Sequence, residues 1–600
     1  MYDQFNEIVA FSPFGGTLIR EDVKGTVLKR VEMENVLEVR DGGDRDMFVY
    51  VPASGCPDAK QCQVLMILRD DAEEETARAA METYELRQLA EDRHFILVFP
   101  NPPSEGWHTS GSGLDEDMDY LSRCFMTLPA GKGKVGGFIG MIFYAALTSN
   151  TSALLMSMSA KRPTNMAGIL LAGQFPEGYE IPEGVNAPQV AYLCGRNPAA
   201  EEYLARVNQT GDGVEIAVAT EYVSTVNPSV RHMVSAEALS AKEIAHAWAY
   251  LFSETRRWTN DTYGTYQERV PFAERGFVAH VKDSSLGVNN GFPHTWYEYV
   301  PPQLRGSKKK APLVFYFHGI GCVPLYGVEQ SGWHDIADQD GFIVAYPKPA
   351  VNKMWNIWDD PVLPSDHAFV LALIEHMKRT YAIDETRIYV TGFSMGGMMT
   401  HAMASAYPEL FAAAAPCNGF HWGYLTSLAD QAGHLPGNPR VPDGPLSSLP
   451  HTKVFTDKKK AAYDYRMPVF QNTGLLDGKW PITREHDPMC VLDTLTFWKR
   501  YNNISNTVPK NGADCESGLT ADETFYDCED QRFLHHRWFS KDEGKPALLE
   551  MVLAKRMPHA LDLRQIELAW QFIKHFSRAS DGSLHYSERS GHSPTRPEKN

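Results

Sequence analysis

No stretch of the 600-residue sequence approaches the roughly 18–20 uninterrupted apolar residues that a membrane span needs, so no span is predicted. The first residues, MYDQFNEIVAF, lack a basic segment followed by an apolar one. That predicts a cytoplasmic chain as given; a trimmed, secreted chain would read the same way. Positive charge is in deficit: 57 Lys and Arg stand against 75 Asp and Glu, a net of -18. An acidic surface repels phosphate backbones, which excludes nucleic acid as an expected partner. Cysteine is scarce, nine residues in all, an odd number too thinly spread for a disulfide-stapled scaffold. Cys56 with Cys62, and Cys515 with Cys528, are near enough in sequence to form local bridges, or are free thiols. Neither CxxC nor HExxH occurs, and no metal or organic cofactor is expected. What remains, 43% hydrophobic and 22% charged residues, is the make-up of a folded, enzyme-sized protein. At roughly 150 residues per domain the length allows about four domains, or fewer large α/β ones.

The chain reads as one unit written twice. Residues 47–70 run MFVYVPA, a turn, then QVLMILRD; residues 296–319 run WYEYVPP, a basic turn, then PLVFYFHG. LAEDRHFILVFPNPPSEGWH (89–108) parallels IADQDGFIVAYPKPAVNKMWNIW (336–358), each a helix end, a buried strand and a Pro-rich loop with Trp. KVGGFIGMIFYAAL (134–147) takes the place of RIYVTGFSMGGMMTHAM (387–403), APQVAYLCG that of MPVFQNTG, and EIAHAWAYLFSETRRW that of IELAWQFIKHFSR. Strands alternating with helical patterns predict tandem α/β domains, each a mainly parallel sheet with helices on both faces. The expected bounds are 1–265 and 270–576, joined by the polar stretch RRWTNDTYGTYQE, with 577–600 a mobile tail of almost no apolar content.

One G-x-S-x-G occurs, GFSMG at Gly392–Gly396, where about 0.2 matches are expected by chance. It follows an apolar strand, RIYVT, and precedes a helical run, which is the setting of a nucleophile elbow. The flanking glycines are needed because side chains there would clash with the strained turn at Ser394. A serine hydroxyl needs a base to take its proton and a carboxylate to orient that base. Asp477, after the strand of MPVFQNTG, and His559, after LLEMVLAKRMP, follow in the order Ser, Asp, His and lie on loops at strand C-termini. Asp487, Asp493 and Asp562 compete for the acid, and His535 and His536 for the base. Asp493 and Asp562 fall in or beside predicted helices, and the His pair opens a strand on the wrong side of the sheet. The oxyanion is expected to meet the N–H of Met395 and that of Gly319 or Ile320, after the strand FYF. His318 reads as a buried structural imidazole.

Taken together, HGIG, DGFIVAYP, WNIW, DETRIYVTGFSMGGMMT, AYPELFAAAAPCNG, PVFQNTGLLD and MPHA resemble the polyhydroxybutyrate-depolymerase-like esterases, a group that includes feruloyl and acetylxylan esterases. The resemblance covers about residues 285–575. It implies Ser394, Asp477 and His559 as a triad, and Trp355 and Trp358 near the acyl or aromatic group of the substrate. Two tryptophans on one loop offer rigid apolar faces for a pocket, or pack into the core. His421 and Trp422 open a long Pro/Gly-rich segment reaching Arg466, expected to be a lid or substrate wall.

The first copy has lost these groups: Ile139 of GFIGM stands in the nucleophile's place, Arg69-Asp70 replaces HG, and no carboxylate follows Gly195. Counting back from the last helix puts Glu237 where His559 stands, and His232 lies nearby. The expectation is a non-catalytic first half, docked on the second through an apolar interface. The second half is expected to be a serine carboxylester hydrolase acting on small or polymeric esters. The rivals are a serine peptidase of the prolyl-oligopeptidase type, an acyltransferase, and a binding protein with a vestigial hydrolase half.

Overall fold

The computed structural model describes residues 5, 7–24, 26–30, 37–41, 45–128, 135–351, 353–421, 465–478, 491–504, 517, 519–527, 530–540 and 546–588. Two compact units divide the chain, Met1–Val270 and Pro271–Asn600. Among the described residues no helix is long and apolar enough to cross a membrane.

Each unit is built on a ten-stranded sheet. In the first, the strands are β1 (Leu18–Val23), β2 (Arg45–Tyr50), β3 (Val64–Leu68), β4 (Ile96–Pro100), β5 (Ile142–Ala146), β6 (Gly168–Ala172), β7 (Ala191–Cys194), β8 (Val214–Ile216), β9 (Ala219–Val223) and β10 (Arg231–Ser235). In the second they are β11 (Val278–Asp283), β12 (His294–Tyr299), β13 (Ala311–Phe317), β14 (Ile343–Pro347), β15 (Ile383–Phe393), β16 (Ala413–Cys417), β17 (Val469–Gly474), β18 (Glu523–Asp527), β19 (Phe533–Phe539) and β20 (Ala547–Ala554).

The spatial order is β1-β2-β4-β3-β5-β6-β7-β10-β9-β8 in the first unit and β11-β12-β14-β13-β15-β16-β17-β20-β19-β18 in the second. Adding ten to each label turns one into the other. Five consecutive strand pairs are parallel in each sheet, flanked by two antiparallel pairs at either end. The central strands carry unbroken apolar runs because helices cover both their faces: VLMIL of β3 and APLVFYF of β13 are buried at every position.

The helices repeat as well. α1 (Gly111–Thr127), α2 (Ser149–Lys161) and α3 (Ala241–Tyr250) stand in the first chain order where α4 (Asp366–Thr380), α5 (Met395–Ala406) and α6 (Leu563–Ile573) stand in the second. Side-chain oxygens of Thr148, Ser240, Ser365 and Asp562 cap α2, α3, α4 and α6, accepting N–H bonds that the first turn cannot satisfy internally.

Two expectations change. The polar stretch at 256–268 is not a linker: Thr255–Trp258 and Thr265–Glu268 pair antiparallel, and Arg257 is fully buried because Tyr263, Met166 and the Tyr266 hydroxyl accept its N–H groups. Nor does a tail begin at 577. Phe576–Arg578 pairs with Leu584–Tyr586, and buried Arg578 donates to the carbonyls of Phe411, Arg466 and Gly582. Residues 589–600 lie outside the described residues. Cys56 and Cys62 are buried free thiols; Cys515 and Cys528 lie outside the described residues.

Candidate active site

β15 ends at Phe393 and α5 begins at Met395, so Ser394 alone makes the turn. Its backbone sits at φ 56°, ψ -118°, a region that costs a non-glycine residue free energy. The two glycines of GFSMG are there for space. A Cβ on Gly392 would lie 2.6 Å from the Phe317 carbonyl oxygen, and one on Gly396 would lie 1.9 Å from the same oxygen. The Ser394 N–H donates to the Cys417 carbonyl at 2.8 Å, which ties the turn to β16.

The structure brings together the three residues expected from the sequence. His559 Nε2 is 2.9 Å from Ser394 Oγ, and His559 Nδ1 is 2.8 Å from Asp477 Oδ2. Asp477 is buried at 3% exposure, three residues after β17, and His559 lies between β20 and α6. Phe393 flanks the imidazole, ring centres 4.9 Å apart.

Two further residues hold the acid, and sequence reasoning did not single them out. Asn418 donates its side-chain amide to Asp477 Oδ2 at 2.9 Å, and Thr473 Oγ1 donates to the same oxygen at 3.3 Å. Asn418 has φ 48°, the left-handed conformation that asparagine tolerates better than most residues. The available signal was the Asn-Gly pair, Asn418-Gly419, directly after β16.

The rival acids and bases are placed elsewhere. Asp562 caps α6 and pairs with Arg532 at 3.0 Å. His535 binds Glu550 at 2.7 Å, wholly buried in the antiparallel end of the sheet. His536 lies between Ser517 and Thr524, and burial pushes its imidazole down to about 4. Asp493 lies on the helix Val491–Tyr501; Asp487 is outside the described residues.

Met395 is the first residue of α5, so its N–H has no carbonyl within the helix to reach. Gly319 follows β13 beside it, where a Cβ would come within 3.4 Å of that of Ser394. Ile320 is the more exposed neighbour, at 47%. His318 is fully buried, with Nδ1 2.8 Å from the Gly319 carbonyl.

The aromatic residues divide. Trp355 is 2% exposed, packs on Phe317 in the core and donates its indole N–H to the His318 carbonyl at 2.7 Å. It therefore holds the loop after β13 instead of presenting an open face, which corrects its expected place beside the substrate. His421 is likewise buried, stacked on Phe497 at 3.7 Å with Trp498 edge-on, and belongs to the core, not to a substrate wall. Trp358 is half-buried. Trp422 and the expected lid up to residue 464 lie outside the described residues.

In the first unit the register moves one expected equivalence. β3 pairs with β5 from Val64↔Ile142 to Leu68↔Ala146, as β13 pairs with β15 from Leu313↔Ile388 to Phe317↔Gly392. Two residues beyond Ala146 stands Thr148, where Ser394 stands two beyond Gly392. Ile139 instead lies in a short 3-10 turn before β5. Thr148 has an ordinary extended backbone, φ -138°, and its hydroxyl accepts the Thr151 N–H as a helix cap. His232 lies within β10, stacked on Tyr222, with burial pushing it down to about 4.

A parallel sheet with a strained serine between strand and helix, and an acid and a histidine after later strands, defines the α/β-hydrolase class. A family model described as the prolyl oligopeptidase family matches residues 368–445, the stretch around the elbow. A bifunctional acetylxylan esterase/xylanase of Neocallimastix patriciarum is 36% identical over 122 residues, 20% of this chain and 17% of that protein. Poly(3-hydroxyalkanoate) depolymerase C of Paucimonas lemoignei is 33% identical over 153 residues, 24% of this chain and 36% of that protein. The chain thus spans well under two thirds of the length of either. Feruloyl esterase B of Neurospora crassa is 34% identical over 237 residues, 38% of this chain and 76% of that protein. The chain belongs to the esterase family of feruloyl esterase B.

Proposed function

We propose that the protein is a serine carboxylester hydrolase whose chemistry is carried by Ser394, His559 and Asp477. The observation that carries this reading is the unbroken hydrogen-bonded line from Ser394 Oγ through His559 to Asp477, at 2.9 and 2.8 Å. His559 Nε2 takes the hydroxyl proton as Ser394 Oγ attacks the ester carbonyl. Asp477 holds the imidazolium that forms, and the N–H groups of Met395 and of Gly319 or Ile320 bind the developing oxyanion. His559 then returns the proton to the leaving alkoxide, giving the alcohol and an acyl-serine. Water, deprotonated by the same imidazole, attacks the acyl-serine; the bond to Ser394 Oγ breaks, His559 returns the proton to that oxygen, and the acid is released.

The substrate class we propose is aromatic, acetyl or hydroxyalkanoate esters, small or polymeric, by likeness to the named relatives. We further propose that the first unit does not hydrolyse esters, since the Thr148 hydroxyl caps a helix and, among the described residues, bonds to Thr151 and not to a histidine. The test is a p-nitrophenyl ester chain-length series beside methyl ferulate, a polyester film and peptide p-nitroanilides. Turnover of the anilides ahead of every ester would replace the esterase reading with the peptidase one.

A further inference from the structure

The second unit carries a cluster of ligating side chains with no part in the triad. We propose that His280, Glu298 and His376 form a zinc site that fastens the edge of the second sheet to α4.

The three residues come from three elements: β11, β12 and the last turn of α4. The Nε2 atoms of His280 and His376 lie 3.4 and 3.2 Å from the same oxygen, Glu298 Oε1. One ligand atom from each residue falls within 4.8 Å of the others. Zinc bonds to nitrogen and oxygen are about 2.0–2.1 Å long, so neighbouring corners of a tetrahedral site stand about 3.3–3.4 Å apart. The two nitrogen–oxygen separations already have that length. Seating an ion requires the two imidazole nitrogens, which lie within 4.8 Å of each other, to close to that spacing.

The surroundings orient these groups. His280 lies flat on the Trp296 indole, centres 4.2 Å apart and 5° from parallel, and its Nδ1 is 3.2 Å from Asp283 Oδ2. A carboxylate on the far nitrogen fixes the tautomer that leaves Nε2 able to ligate. Glu298, 1% exposed, receives the Trp296 indole N–H on Oε1 at 2.8 Å and the Tyr381 hydroxyl on Oε2 at 2.6 Å. His376 meets His280 edge-on, and Thr380 Oγ1 is 3.5 Å from its Nε2.

Without an ion, Glu298 Oε1 faces three nitrogen groups, Trp296, His280 and His376, one more than its two lone pairs take. A cation between the imidazoles relieves that crowding, because both histidines then turn a lone pair, not a proton, inward. Two imidazoles and one carboxylate suit Zn2+ better than Ca2+ or Mg2+, which favour all-oxygen shells. The imidazole side chains are 22% and 20% exposed, so water reaches the fourth position. β11 is the sheet's edge strand, held by β12 on one side only, and a metal bridge to α4 would secure it.

The experiment uses the full chain, stripped with a chelator and titrated with Zn2+ against a competing indicator dye. The expected result is one equivalent bound at micromolar Kd or tighter, with a melting temperature raised by a few degrees and esterase kcat unchanged. His280→Gln and His376→Ala should each weaken binding at least about 100-fold while keeping the metal-free melting temperature. Equal zinc binding by wild type and both variants would overturn the site, as would no binding at about 100 µM metal. Should a variant fail to fold, Co2+ absorption of the wild-type protein decides. Intense tetrahedral d–d bands support the site, and weak octahedral ones overturn it.

Discussion

Asn418 and His559 share one oxygen: the Asn418 amide reaches Asp477 Oδ2 at 2.9 Å and His559 Nδ1 reaches it at 2.8 Å. With Thr473 Oγ1 on the same oxygen at 3.3 Å, these donors fix both the rotation of the carboxylate and the direction in which the imidazole points. Asn418→Gly keeps a backbone suited to φ 48° and removes the amide. kcat should fall about 10- to 100-fold with KM little changed, since a misdirected base is felt in the transition state. Steady-state kinetics on one p-nitrophenyl ester separate the two parameters.

Ser394→Ala should lower esterase activity by about 10,000-fold or more and leave the melting temperature within a degree or two of wild type. Alanine fits the turn, and only the nucleophile is lost. Turnover near the wild-type rate would remove Ser394 from the mechanism.

Asp477→Asn should cost about 10,000-fold in kcat, because the imidazole loses the charge that selects its tautomer. Asp562→Ala serves as the comparison: its carboxylate caps α6 and binds Arg532, so stability should drop by about 1 kcal/mol with kcat preserved. The reverse ranking in kcat would reassign the acid.

Gly396→Ala should give insoluble protein or a loss beyond about 4 kcal/mol, as its Cβ meets the Phe317 carbonyl oxygen at 1.9 Å. At Gly211 the nearest atom to an added Cβ is 3.7 Å away, and Gly211→Ala should melt as wild type does. Expression yield and thermal melts compare the pair directly.

Burial pushes His401 down to about 3 and His334 down to about 4, so both are neutral in the folded chain. His401 is held in that form by the Trp498 indole N–H on Nδ1 at 2.9 Å and by the Gly419 carbonyl 3.2 Å from Nε2. The unfolded chain binds protons at these sites below its ordinary value of about 6.5, and the folded chain does not. Stability therefore rises with pH through this window and falls as pH drops from 6.5 towards 4. At pH 5 each imidazole costs about 2 kcal/mol relative to neutral pH. Urea melts at pH 7 and pH 5 measure the difference, and equal midpoints would contradict it.

The triad was legible because each member is fixed by local grammar: glycines that the elbow needs for space, an acid just after a buried strand, and a histidine before the last helix. Asn418 was not legible, since its role depends on a left-handed turn that brings the amide to Asp477, after β17. The nucleophile position of the first unit was misread at Ile139 because GGFIG imitates the glycine spacing. Only the pairing of Val64 with Ile142 shows that the strand starts later. Trp355 and His421 were read as pocket residues by type, while burial is settled by packing that no local spacing encodes. The polar stretch 256–268 looked like a linker for the same reason: Arg257 goes inside because backbone carbonyls meet it.

The two turns, Thr148 and Ser394, differ in backbone strain. They occupy matching places in matching sheets, yet one backbone is relaxed and the other is strained. A serine put at Thr148 would inherit the relaxed turn and the Thr151 N–H, with its hydroxyl already hydrogen-bonded. A nucleophile there would require a rebuilt turn, space cleared around it, an acid and a histidine, all together. No single substitution at Thr148 supplies all of these, so a matching place in a matching sheet does not by itself make a reactive serine.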